Sequence, residues 1–465
     1  MFFESFVLNV SILGALIIAL LFDYVTKFFS YWYVRHVPYK TPIPLFGSDY
    51  HRVLGIRNTS EEVNKLYTSY AKEKYVGCIK SRIPDLIVKD PNSIKKILST
   101  DFSNFHCRGY GLDGSQDVCI RNNLFYSEGE KWTLLRARME LLLNNMDLDI
   151  QDSLHECLSG TNGDTNVQQL LSEILDVVFK DLLIDNKLDG SVVRNTMELL
   201  QKRTLFEKLK SYLKDVLPSV YVMFGLNVLS EQYFSKFAQV LEESKLMKDI
   251  KKTETIFQDE NDLAKKYKLS EYDLITSYLA LFIGEGYIPC HHVLTALLYE
   301  LAKNPGLQED ARKCINNRTE GDCLSQTIKE VLRLYPPYSV ITRNCVKTYQ
   351  FSDKDLSIDK GITITIPVEL LQRDEAYYKD ANKFNPKRFE LNSSLSDNSY
   401  LPFGDGPRKC VGQQLALRII DAVATVILKT FLIEPCETLP DLVITDYNFK
   451  RFIESNVSLK FKPIS

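Results

Sequence analysis

Residues 401–412 read Leu-Pro-Phe-Gly-Asp-Gly-Pro-Arg-Lys-Cys-Val-Gly, a glycine-broken cationic loop that delivers one cysteine to the start of an apolar run. Gly404, Gly406 and Gly412 remove side-chain bulk where backbone must turn tightly or approach a large flat ligand, and Pro407 stiffens the loop. Arg408, Lys409 and the free N–H groups of a following helix favour the thiolate of Cys410 over its thiol. With no second cysteine or histidine beside it, a tetrahedral zinc site is excluded, whereas a lone thiolate suits the axial position of a haem iron. A phosphate-cradling loop fails on spacing, because Gly404 and Gly406 need a further glycine at 409 and the chain has Lys409. A buried structural cysteine stays open as the plainer reading. Beyond the loop, Val411, Leu415, Ile419, Val423 and Ile427 recur every four residues, with Ala416, Ile420, Ala424 and Leu428 as a second ridge. That pattern predicts a buried helix of roughly five turns.

The rest of the chain is 45% hydrophobic and 25% charged over 465 residues, with a net charge of −3 and no long basic run. No nucleic-acid partner is expected from such a balance. Ten cysteines lie scattered without CxxC pairs, and read as reduced thiols in a cytosol-facing body. From Ser5 to Phe22 there is no charge, eighteen residues against the ~20 of a bilayer-spanning helix. Lys27 and Arg35 follow, with Tyr24, Phe28, Phe29, Tyr31, Trp32 and Tyr33 placed as an interfacial aromatic belt. Neither the basic residues nor the small-residue cleavage site of a removable signal flanks the run, so residues 1–34 are predicted to be a retained membrane anchor and juxtamembrane segment. Residues 35–47 hold Pro38, Pro42, Pro44 and a closing Gly47, a stiff hinge ahead of a catalytic body over 48–465. In that body apolar residues recur at helical spacing, as in Leu170, Leu171, Ile174, Leu175 and Val178, or Leu274, Ile275, Tyr278, Leu279, Phe282 and Ile283. Shorter β-like runs occur at 86–88 and 362–367, so helices are expected to dominate.

The cysteine segment resembles the haem-ligand loop of cytochromes P450, written Phe, two free positions, Gly, one free, Arg, one free, Cys, one free, Gly. Phe403, Gly406, Arg408, Cys410 and Gly412 fill every fixed position. Upstream, Glu330 and Arg333 stand three apart in a helical stretch ended by Pro336 and Pro337, like the family's Glu-x-x-Arg element. Pro386-Lys387-Arg388-Phe389 is similar to its Pro-x-Arg-Phe element. The resemblance implies that Glu330, Arg333 and Arg388 form a buried triad that supports folding and haem retention. Trp132 and Arg136, four residues apart on one helical face, offer only donors, which suits carboxylates. By resemblance they bind haem propionates together with Arg343 and Arg408, and Arg108 is a weaker candidate. The implied fold is mainly α with small β-sheets, the cytochrome P450 fold, and the implied cofactor is haem b. The N-terminus and Leu334-Tyr335-Pro336-Pro337 look most like microsomal members, notably insect ones that handle xenobiotics or lipids.

One stretch departs from the family. Residues 282–292 align with the long helix above the haem, and the family's Ala-Gly-x-Asp/Glu-Thr-Thr falls on Glu285–Cys290. The acid is Ile288 and the first threonine is Pro289; in the family these two position water and deliver protons to dioxygen. Pro289 has no N–H and crowds the Glu285 carbonyl, so one reading has it open the helix where threonine usually does, with Glu285, His291 or a substrate hydroxyl carrying protons. The resemblance then implies a monooxygenase in the endoplasmic reticulum membrane acting on a lipophilic small molecule. NADPH–cytochrome P450 reductase is its implied donor, cytochrome b5 an auxiliary, and Lys131, Arg138 and Lys409 are cations suited to attract an acidic flavoprotein. The alternatives are an isomerase or dehydratase that rearranges peroxides without a reductase, and a haem-binding protein without turnover.

Overall fold

The two β-like runs lie side by side, Leu86 opposite Ile364 and Ile87 opposite Thr365 in parallel register. The computed structural model describes residues 6–44, 46–48, 50–54, 56–80, 83–146, 151–183, 204–227, 244–257, 267, 269–317, 323–352, 355–390, 397–447 and 450–464. The chain divides into a first unit, residues 1–109 with 340–370, and a second, residues 110–339 with 371–465.

The first unit is built on a four-stranded sheet with the spatial order Tyr75–Lys80, Ile83–Val88, Thr363–Ile366 and Ile341–Asn344. Val76, Leu86, Ile87, Val88, Ile364 and Ile366 are buried, as expected where β-branched and leucine side chains fill a pleated surface. The Trp32 indole is fully buried against the Tyr75–Lys80 strand and donates from Nε1 to the Cys78 carbonyl at 2.8 Å. Gly77 makes this possible, since a Cβ there would sit 2.4 Å from Trp32 Cγ. Tyr31 and Trp32 therefore belong to a core, contrary to the predicted aromatic belt, because the indole finds an apolar slot and a carbonyl partner inside the sheet. Tyr24 and Tyr33 stay exposed. The proline-rich stretch is fastened to the same strand, with Gly77 N–H donating to the Pro38 carbonyl at 2.8 Å. Arg35 stacks 3.6 Å above the Tyr31 ring and pairs with Asp359 at 2.7 Å. Helix α1 spans Phe6–Thr26 and leaves Leu8, Ile18, Leu20 and Phe22 exposed. Among the described residues no helix is long and apolar enough to cross a membrane.

The second unit is mainly helical: α2 Gly129–Asn144, α3 Val167–Leu183, α4 Glu271–Leu281, α5 Ile288–Lys303, α6 Cys323–Leu334 and α7 Gln413–Thr430. Every residue of α5 from Val293 to Ala302 is buried, which marks a central helix, and it packs against α3, α6 and α7. Leu171, Leu175, Leu294, Leu297, Leu301, Ile420, Val423 and Ile427 share its core. Two small antiparallel sheets flank the helices, one of Gly163–Asn166, Ser458–Pro463 and Phe431–Pro435, the other a hairpin of Ile444–Tyr447 and Lys450–Ile453. Cys314 and Cys323 form a disulfide, so the reading of every cysteine as a reduced thiol fails for this pair. Packing of helix Pro305–Asn317 against α6 brings their Cα atoms to 6.2 Å, a proximity that spacing along the chain does not reveal.

Gly77→Ala should destabilise the protein by about 1–3 kcal/mol, because the indole or the strand must shift. Urea unfolding checks this, and an unchanged midpoint would refute the tight Trp32–Gly77 contact.

A candidate active site around Cys410

The cysteine loop is two tight turns laid end to end. Gly404 and Gly406 adopt left-handed φ values of 71° and 69°, which a side chain at either position would resist. Gly404 N–H donates to the Leu401 carbonyl at 3.0 Å, Lys409 N–H to Gly406 at 2.9 Å, and Cys410 N–H back to Phe403 at 2.9 Å. Cys410 is thereby held with its side chain exposed, three residues before α7, whose N-cap is Gly412.

What fixes the loop lies deeper. Glu330 and Arg333 on α6 are fully buried and paired through two bonds of 2.7 Å, Nε to Oε2 and Nη2 to Oε1. Arg333 Nη1 also donates to the carbonyls of Gln372 at 2.6 Å and Ala381 at 2.7 Å. Arg388 joins from the Pro386–Phe389 turn, its Nε 3.4 Å from Glu330 Oε1 and its Nη2 2.8 Å from the Asp380 carbonyl. Gln372 carries the order onward: its amide nitrogen donates to the Arg333 carbonyl at 2.9 Å, and its amide oxygen accepts from Leu401 N–H at 2.8 Å. No motif marked Gln372 in the sequence, because its role is defined only by the two backbones it bridges.

On the other flank the Arg408 guanidinium lies 4.6 Å above the Trp132 ring and donates to the Ser127 carbonyl at 2.6 Å. Arg136, one turn further along α2, donates to the Lys409 carbonyl and to Glu140, both at 2.5 Å. It braces the residue before Cys410. Arg343 and Arg108 belong to the first unit, where Arg343 is buried and donates to the Thr342 carbonyl at 2.8 Å. Of the cations expected to face a reductase, Lys131 and Arg138 are buried, Lys131 against the Arg121 carbonyl and Arg138 against Glu254. They lie on the inward face of α2, so only Lys409 of the three is exposed.

Across from the thiol, α4 runs into α5 through a π turn at Phe282–Tyr287. Pro289, in the first turn of α5, has no N–H to return to the Glu285 carbonyl, and such widened turns arise where that ladder is broken. Cys290 follows it; burial pushes its thiol up to about 12, and the charge of Cys410 adds to the effect, so the two sulfurs are within electrostatic reach. Glu285 is paired with Lys450 at 2.6 Å. His291 instead faces α3, its Nε2 2.9 Å from the Gln168 carbonyl and 3.3 Å from Ser172 Oγ. Beside it the buried Tyr287 donates to Asp176 at 3.0 Å, and Ile288 and His292 line a cavity of about 310 Å³ between α3, α5 and the strand Lys450–Ile453.

These residues fit a haem. The donors are one exposed thiol, one indole N–H and one guanidinium, and Phe403, Val411, Leu415, Ala416 and Ile288 are only partly buried, as apolar walls awaiting a flat ligand would be. Among the described residues no group of three histidine, cysteine or acidic side chains offers a competing metal site.

Comparison with known proteins agrees with this chemistry. Residues 37–451 match the family model of cytochrome P450. The chain is 27% identical to "Cytochrome P450 6l1" of Blattella germanica, over 92% of this chain and 91% of the relative. It is 26% identical to "Cytochrome P450 6B1" of Papilio polyxenes, over 90% and 91%, and 26% identical to "Lithocholate 6-beta-hydroxylase" of Mesocricetus auratus, over 92% and 91%. The chain belongs to the cytochrome P450 family, enzymes of the monooxygenase class that carry haem b on a cysteine thiolate, and its insect relatives match the type expected from its motifs.

Arg333→Ala strands a buried carboxylate and should cost about 3–5 kcal/mol, with haem content falling in parallel. Urea unfolding and haem absorbance check this; a loss confined to haem would show that the pair is not a folding element. Burial, then the Arg451 charge, holds the His292 ring down to about 3. The unfolded chain takes up that proton below pH ~6.5 and the folded one only near pH 3, so this group removes ~1.4 kcal/mol of stability per pH unit as pH falls between those two values. His292→Gln should flatten the slope of unfolding free energy against pH by that amount, and an unchanged slope would contradict a buried neutral ring.

Proposed function

We propose that the chain is a membrane-anchored haem-thiolate monooxygenase that inserts one oxygen atom from O2 into a lipophilic small molecule of the xenobiotic, steroid or fatty-acid class. Electrons come from NADPH through NADPH–cytochrome P450 reductase, with cytochrome b5 as a second donor. The observation that carries this is the exposed Cys410 thiol on a loop braced by Gln372 and Arg136 and faced by a broken helix. Haem held on that thiolate would supply the reductive chemistry of dioxygen. Cys410 would hold the haem iron through its thiolate; Phe403, Gly404 and Gly412 shape the loop around it. Trp132 and Arg408 hold propionates, Arg136 keeps the loop in place and shares that task, and for Arg343 the propionate role rests on the family resemblance alone. Glu330, Arg333 and Arg388 retain the haem by fixing the loop from behind. Pro289 keeps the helix open, and Glu285 moves protons at the opening.

The anchor reading rests on the uncharged run from Ser5 to Phe22, which lies largely within the Phe6–Thr26 helix and approaches the ~20 residues of a bilayer-spanning segment. Residues 1–34 then hold the protein to the endoplasmic reticulum membrane, residues 35–47 set the angle, and the body over 48–465 faces the cytosol. The name of the hamster relative records hydroxylation of lithocholate, which supports a lipophilic substrate. A second reading, an isomerase or dehydratase of peroxides that needs no reductase, is favoured by Ile288 and Pro289 standing where the family has an acid and a threonine.

The reduced, carbon monoxide-treated protein should absorb near ~450 nm, and Cys410→Ser should abolish that band. Product formation that requires NADPH and reductase supports the monooxygenase; rearrangement of a lipid hydroperoxide without either would overturn it. Pro289→Thr should leave the yield of product per NADPH unchanged or lower it, and a several-fold gain would show the proline to be a defect.

A further inference from the structure

Lys450 opens the second strand of the hairpin Ile444–Tyr447/Lys450–Ile453, and its backbone bridges Tyr338. From there its ammonium reaches the π turn twice. Nζ lies 2.6 Å from Glu285 Oε1 and donates to the Gly284 carbonyl at 2.9 Å. The approach is close: a Cβ on residue 284 would stand 3.3 Å from Nζ, and the lysine tip would have to yield by a few tenths of an ångström. Both side chains are largely shielded, 19% and 17% exposed, so the contact is more than a solvated surface pair.

The position aligned with the family's acid offers nothing in exchange. Ile288 has no ionisable atom, and the cavity it lines with Gln168, Ser172, Tyr287, His291 and His292 carries no carboxylate. Within residues 282–292 Glu285 is the only acidic side chain. It precedes Pro289 by four residues, which places both on one helical face, whereas His291 is turned toward α3.

We infer that Lys450 is a positioning residue for oxygen activation: it clamps the Glu285 carboxylate at the helix break, and Glu285 relays the protons that the missing acid would have handled. This rests on the monooxygenase reading and adds the cation that makes Glu285 usable. Each turnover combines O2, two electrons from NADPH through the reductase and two protons, leaving one oxygen atom in the substrate and one in water. Glu285 takes each proton from solvent water and passes it on, so the carboxylate is regenerated; Lys450 exchanges none. Without the clamp the carboxylate samples several rotamers, and electrons escape as hydrogen peroxide instead of forming product.

The experiment uses the full-length haem-loaded protein with NADPH–cytochrome P450 reductase, and 7-ethoxycoumarin and lauric acid as probes. Lys450→Met and Glu285→Gln should each lower product per NADPH about tenfold or more, with matching peroxide release, a larger solvent deuterium isotope effect and an unchanged ~450 nm band. The double variant should be no worse than either single, and Lys450→Arg should restore most of the coupling. Thermal melting of the parent, the two single variants Lys450→Met and Glu285→Gln and their double variant needs no turnover, and the losses should be non-additive. Coupling in Lys450→Met within twofold of the parent, or single effects that multiply in the double variant, would overturn the proposal. So would additive melting losses, which deny the clamp itself. Non-additive melting with no reductase-dependent product from the parent protein would overturn the proton role together with the monooxygenase reading, while leaving the pair in place.

Discussion

A carboxylate and a guanidinium buried together tolerate little displacement, since either charge left unpaired costs several kcal/mol. Glu330 and Arg333 are in that position, and the geometry spreads outward from them. Arg333 Nη1 donates to the carbonyls of Gln372, at the end of the short helix Val368–Gln372, and of Ala381, which pins both segments beside α6. Gln372 then binds α6 with one end of its amide and the first residue of the cysteine loop with the other. The place of Cys410 thus follows from a charge pair about eighty residues earlier in the chain. Arg388 secures the same carboxylate from a third segment.

Facing the thiol, the chain solves a different problem. The π turn and Pro289 leave a long helix open at its middle, and the family's usual acid and threonine are absent there. A widened turn exposes carbonyls that need partners, and Lys450 supplies one for Gly284 while pairing with Glu285. Tyr287 and His291 settle their polar atoms against α3 instead. The opening is therefore asymmetric, with an ion pair on one side and a polar cavity free of carboxylates on the other.

Much of this is legible in the sequence. The ridges after Cys410 and the repeats at 170–178 and 274–283 became buried helix faces, because a 3.6-residue period leaves few other ways to bury leucine and isoleucine. The cysteine loop and the Glu330–Arg333 pair were readable as motifs, since tight turns and close pairs need particular residue types. Lys131 and Arg138 looked like surface cations and are buried; Tyr31 and Trp32 looked interfacial and lie in a core. Both misreadings share a cause: an amphipathic side chain can bury its body wherever its polar tip finds a carbonyl or a carboxylate, and composition does not say where that is.

By itself the sequence determined what is local or periodic: a thiolate-bearing loop, a helical body, an uncharged N-terminal stretch, and the absence of an acid and a threonine at 288 and 289. Only the tertiary structure decided which distant residues meet. Gln372 under the loop, Arg136 on the Lys409 carbonyl, Cys314 beside Cys323 and Lys450 on Glu285 are separated by 9 to 273 positions. Such contacts are chosen by packing, in which one backbone carbonyl or one missing Cβ admits a particular side chain, and no pattern along a single chain encodes that choice.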